Sequence, residues 1–188
     1  LDGMDAFLRE SLAKPGLATR ERDGFEASQR LLAQYRKDTR DLVLALPTRT
    51  FVDSLKLDDA THPVELRHPG RGNTDGDLIA WLPRQRVIAT GDLVVAPIPF
   101  GFNAYPADWQ GTLRAMQAMR PAVWLPGHGA AMRDDGYVGR VVDLIGHARE
   151  AVAPLAEQGL HLDEVKKRID LATDRDRFVG DDPWLVRW

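Results

Sequence analysis

Three glycine-rich stretches carry the polar side chains best suited to chemistry: GRGNTDGD at residues 70–77, TGD at 90–92 and PGHG at 126–129. Glycine lets the backbone turn sharply and lets a ligand come close. TGD and PGHG each follow a short apolar run that reads as a buried strand. If those strands are neighbours, Asp92 and His128 converge at one sheet edge. A carboxylate and a neutral imidazole meeting at one point form a metal-ligand pair, suited to Zn²⁺ or a similar ion. Plainer roles compete with this one. Gly-Asp is common in turns, where the carboxylate bonds its own backbone, and turn chemistry suits Asp75 and Asp77 better than ligation does. Asn73 can equally satisfy a turn. For His128, nothing local calls for an imidazole between Gly127 and Gly129.

The other candidates are weaker. His62 and His68 flank a short edge strand and are expected at the surface. His147 lies beside the apolar stripe of a helix, and His161 sits at a helix start. There is no cysteine, which excludes disulfides, thiolate catalysis and Cys-ligated zinc. The serines, Ser11, Ser28 and Ser54, lie outside any Gly-x-Ser-x-Gly elbow. GRGNTDGD lacks the Gly-Lys-[Ser/Thr] ending of a phosphate loop, and a strand rather than a helix follows it, so it is no dinucleotide fingerprint.

The elements that must position these residues follow from periodicity. Residues 3–13 and 24–36 read as helices, with Asp23 as an N-cap for the second. Residues 49–57 and 63–67 read as short strands. DLIAWLP (77–83) and RVIAT (86–90) form a hairpin, apolar on both faces and so expected between layers. Residues 91–105 read as a loop. Pro106 opens a helix to about Arg120, and Pro121 ends it. AVWL at 122–125 is a buried strand leading into PGHG. Residues 136–158 repeat apolar positions at three and four, with Gly159 as the stop, and 162–172 read as a shorter helix. Strands in a meander with helices packed outside them define an α+β, layered class.

The 188 residues suit a single domain. With 28 acids against 25 bases the net charge is −3, which argues against a nucleic-acid partner. The apolar runs, such as LVVAPIPF, are too short to cross a bilayer. The chain starts at Leu1 and stops on an apolar aromatic run, FVGDDPWLVRW. Both ends read as interruptions of a longer protein, so any targeting signal would lie outside this stretch and the compartment stays open.

Taken in order, GRGNTDGD, the hairpin, TGD, a Pro-rich loop, a helix, a strand and PGHG resemble the C-terminal half of a metallo-β-lactamase-fold hydrolase, over roughly residues 40–135. The resemblance implies an αβ/βα layered sandwich, incomplete in this chain, with a one- or two-metal site at a sheet edge. The metal is usually zinc, with iron or manganese as alternatives. It implies that Asp92 bridges the metals and is catalytic, and that His128 is the last histidine ligand. Asn73 stands where the family usually has a histidine, and is a weak ligand. Asp75 and Asp77 would support the site from behind. Phe100, Phe102 and Tyr105, on PFGFNAYP at 99–106, would line a pocket for a small-molecule substrate, with simple packing under the loop as the equal alternative. The implied reaction is attack by a metal-bound hydroxide on an ester, lactone, amide or phosphoester. The family's HxHxDH motif is absent from this sequence. The chain is therefore expected to associate with a missing N-terminal half or as a homo-oligomer. The alternative is a non-catalytic scaffold that keeps the fold without a complete metal site.

Overall fold

The computed structural model describes residues 2–180; the terminal DDPWLVRW lies outside the described residues. The chain divides into two compact units, one through Thr50 and one from Phe51.

The first unit is a helical hairpin, α1 (Asp2–Leu12) and α2 (Thr19–Asp38). Phe7 meets Phe25 edge-on, with ring centroids 6.2 Å apart, and Arg36 reaches Asp2 at 3.1 Å. The second helix begins earlier than its apolar pattern predicts. Ala18 is the N-cap, and its backbone N–H donates to the Glu21 carboxylate at 3.2 Å. That bond satisfies an otherwise orphaned donor, so Asp23 lies inside the helix and not at its cap. Leu42, Val43, Leu44 and Leu46 follow as an irregular, exposed apolar run.

The second unit is a five-stranded sheet in the order β1-β2-β3-β4-β5, formed by Ser54–Leu57, Val64–Arg67, Ile79–Leu82, Val87–Val95 and Val123–His128. The first four strands form an antiparallel meander, and β5 runs parallel to β4. The crossover between them is α3 (Pro106–Ala118), which starts with Pro106 at its first turn. α4 (Gly136–Glu157), α5 (Leu162–Arg168) and α6 (Ala172–Val179) complete the unit. Sequence periodicity predicts one helix over 162–172; the chain forms two, because Ile169 adopts an extended conformation that ends α5. The first strand is also shorter than predicted. The architecture is α+β.

Side chains alternate across a pleated sheet, and that alternation sorts the core. Trp81, Ile88 and Trp124 lie opposite one another in the strand register and are buried with Leu113 and Met116 of α3 and Val138, Val141 and Ile145 of α4. The other face carries Ala80, Leu82, Val87, Ala89, Val123 and Leu125, all apolar. None of these six is fully buried, and Leu125 is 40 % exposed. The hairpin is thus apolar on both faces, as its sequence reads, but helices cover only the Trp81–Trp124 face completely.

This asymmetry has an energetic consequence. Leu113→Ala, at a site with no exposure, should cost about 2–5 kcal/mol in urea denaturation. Leu125→Ala should cost about 1 kcal/mol or less. Equal costs would show that the second face is covered in solution.

Candidate functional site

Parallel neighbours end at the same sheet edge, and that geometry brings distant residues together. The β4–β5 register runs from Val87 opposite Val123 to Val95 opposite His128. His128 is the last residue of β5. Asp92 lies within β4, not in a loop after it, because the strand continues to Val95. The ladder slips at two places around Gly91, and Gly91 has φ +51°. Such a bulge re-aims the side chains beside it. The result is that Asp92 Oδ1 lies 3.5 Å from His128 Nε2, with both side chains partly exposed, at 42 % and 61 %.

Close approach of the two strands depends on Gly127. A Cβ there would sit 2.3 Å from Asp92 Oδ1 and 2.7 Å from the Gly91 carbonyl carbon. Below the edge, the buried Thr90 hydroxyl lies 3.3 Å from the Leu125 carbonyl. Beyond it, Ala96 N–H donates to the His128 carbonyl at 3.1 Å. The chain then folds back, with Trp124 and Met132 exchanging two backbone hydrogen bonds of 2.9 Å.

The GRGNTDGD loop is braced internally. Asp77 accepts hydrogen bonds from the Thr74 backbone (3.0 Å) and hydroxyl (2.8 Å), so it closes the turn. Asp75 is exposed. Asn73 is half-buried, and its Oδ1 lies 3.0 Å from where a Cβ would stand on Gly101; the PFGFNAYP loop therefore passes directly over it. Gly72 lies against Leu93 and Trp109, too close for any Cβ. The Arg71 carbonyl accepts from Thr112 at 2.8 Å.

The three aromatic candidates separate. The Phe100 ring lies 6.1 Å from the His128 ring and 5.7 Å from Phe102. Phe102 is 92 % exposed. Tyr105 sits elsewhere in the loop, with the Arg71 guanidinium 4.3 Å above its ring, and Arg71 is paired with Asp108 at 2.5 Å.

One side chain escaped the sequence reading. His68 is half-buried rather than at the open surface, with Nδ1 2.7 Å from the Asp77 carbonyl. A carbonyl only accepts, so Nδ1 carries a proton and donates. The only signal for this in the sequence is the position of His68 two residues before the GRGNTDGD loop. His68 lines a separate pocket of about 440 Å³ with Asp53, Glu65 and Met119, which neither Asp92 nor His128 borders.

Carboxylate oxygen and imidazole nitrogen are the donor types zinc takes, but zinc takes about four ligands. Among the described residues, no group of three or more His, Cys, Asp or Glu side chains is placed to hold an ion. The described residues therefore do not make a complete zinc site by themselves.

The model of the Metallo-beta-lactamase superfamily matches residues 10–128, ending on His128, and the chain belongs to that superfamily. It thus carries the fold of a superfamily of hydrolases. Among solved structures, the chain is similar to TMB-1, with 18 % identity and a TM-score of 0.48 over 63 % of this chain and 55 % of that one. It is similar to a metallo-beta-lactamase from Pontibacter korlensis, with 21 % identity and a TM-score of 0.49 over 65 % and 62 %. It is also similar to the sec-alkylsulfatase Pisa1 from Pseudomonas sp., with 17 % identity and a TM-score of 0.57 over 68 % and 22 %. The chain spans between about a fifth and three fifths of the length of these proteins. No curated protein matches it significantly.

The glycine clearance is directly testable. Gly127→Ala should cost roughly 1–3 kcal/mol in urea denaturation through overpacking. Gly76→Ala, where nothing lies within 4 Å of the added carbon, should change stability by less than about 0.5 kcal/mol. Equal effects would mean that the strands do not approach this closely.

Proposed function

We propose that this chain is the Asp92- and His128-bearing part of a metal-dependent hydrolase acting on a small ester, lactone, amide or phosphoester. The observation that carries the reading is the 3.5 Å approach of Asp92 Oδ1 to His128 Nε2 at the end of two parallel strands. Nothing in the packing requires either group there, since both are partly exposed. Asp92 and His128 would supply an oxygen and a nitrogen to zinc, or to iron or manganese. The remaining ligands would come from outside the described residues. Asn73, a neutral amide, would be a weak donor at best. Asp77 shapes the loop that carries Asn73, and Phe100 beside His128 would bound the substrate on one side.

The half-covered sheet face and the exposed 42–46 run support association with a further protein segment or a second copy, because apolar surface of that kind is normally buried against a partner. A non-catalytic scaffold is the second reading. The donor count among the described residues favours it.

Zinc titration by calorimetry separates the two. The hydrolase reading expects saturable binding, weakened at least about tenfold by Asp92→Ala and by His128→Ala, with circular dichroism unchanged. It also expects that any ester hydrolysis by the zinc-loaded chain is lost in both variants. Absence of zinc binding, or binding indifferent to both substitutions, would overturn it in favour of the scaffold.

A further inference from the structure

Behind the strand end that carries His128 lies a second pocket, of about 590 Å³, which the hydrolase reading does not use. Pro97, Ala130 and Met132 give it apolar walls, and Arg133, Asp134 and Arg140 bring charge to it. Its volume is in the range that suits a small organic molecule.

Arg140 is the unusual member. Its Nε is buried and, among the described residues, has no hydrogen-bond partner. A buried donor on a charged group is costly to leave unsatisfied, and such a group in a folded protein calls for an explanation. The guanidinium is held in place by two rings: it lies 5.4 Å from the Tyr137 centroid and 6.0 Å from that of Phe178. Those rings are themselves packed edge-to-face at 5.6 Å. Rings attract a cation but do not neutralise it.

The nearby acids do not serve Arg140. Asp134 accepts from the Gly136 backbone at 2.9 Å, and Asp135 accepts from the Gln117 side chain at 3.0 Å. Among the described residues, neither Arg133 nor Arg140 forms an ion pair with a carboxylate. Tyr137 is committed as well. Its hydroxyl donates to the Val95 carbonyl, and burial pushes its ionisation upward, so it remains neutral and supplies no counter-charge.

We infer that this pocket binds a small organic carboxylate, with the carboxylate on the Arg140 guanidinium and the apolar body against Pro97, Ala130 and Met132. A planar guanidinium matches a carboxylate in a two-pronged arrangement, and Arg133 adds a second positive charge at the rim. The site shares Ala96 and Gly129 with the backbone around His128. It stands independently of metal binding, because its readout is ligand binding and not turnover.

The test is calorimetric titration of the whole chain with hexanoate, hexanol and inorganic phosphate. The expected result is saturable binding of hexanoate, with hexanol and phosphate each at least tenfold weaker, and a tenfold or greater loss in Arg140→Met. In the unsubstituted protein, the Arg140 Nε–H resonance should move on adding hexanoate, a readout that holds even if Arg140→Met fails to fold. No saturable hexanoate binding, hexanol or phosphate binding as tightly as hexanoate, or an unmoved Arg140 resonance would each overturn the inference.

Discussion

The parallel pairing of β4 with β5 is the constraint on which the rest depends. Antiparallel neighbours would send Asp92 and His128 toward opposite edges. Parallel ones bring both to the same edge, despite the thirty-odd residues and the whole of α3 between them. The pairing is tight only because Gly127 has no side chain where Asp92 Oδ1 and the Gly91 backbone stand. Gly91, with its positive φ, supplies the bulge that turns Asp92 toward His128. Two glycines thus set the spacing of the two polar groups beside them.

The core explains why that edge is rigid and why the other face is not complete. Trp124 on β5 is fully buried with α3 and α4 residues, and its backbone is pinned to Met132 by two hydrogen bonds. Trp109 in α3 donates its indole N–H to the Leu93 carbonyl on β4, one residue past Asp92. The helices therefore grip the strands on either side of the polar pair. Within this unit, the described residues give the opposite sheet face no comparable cover. The β3–β4–β5 part of the sheet is apolar on both faces, and superfamily membership over residues 10–128 gives the fold its family.

Much of this was legible in the sequence, and the failures have physical causes. The order of GRGNTDGD, TGD and PGHG around an apolar hairpin placed Asp92 and His128 at one edge, because strand-end glycines beside polar groups are a local signal. The continuation of β4 through TGD was not legible, since Thr-Gly-Asp reads as a turn and only pairing with β5 keeps it extended. Ala18 gives no side-chain capping signal, so the start of α2 was missed in favour of Asp23. The role of His68 rests on a bond to the Asp77 backbone nine residues away, which no short pattern encodes. Arg140 carries no local signal, because what marks it is tertiary: its guanidinium stands beside the Tyr137 and Phe178 rings, and Phe178 comes from a different helix.

The central claim is that Asp92 and His128 act on one cation together. It is tested most directly by the imidazole ¹⁵N spectrum of His128, recorded with and without stoichiometric zinc. The account predicts that the His128 Nε2 resonance shifts to a metal-bound position in the unaltered chain and stays in place when Asp92 is replaced by Ala. A His128 resonance that ignores zinc, or that responds equally without the Asp92 carboxylate, would contradict it.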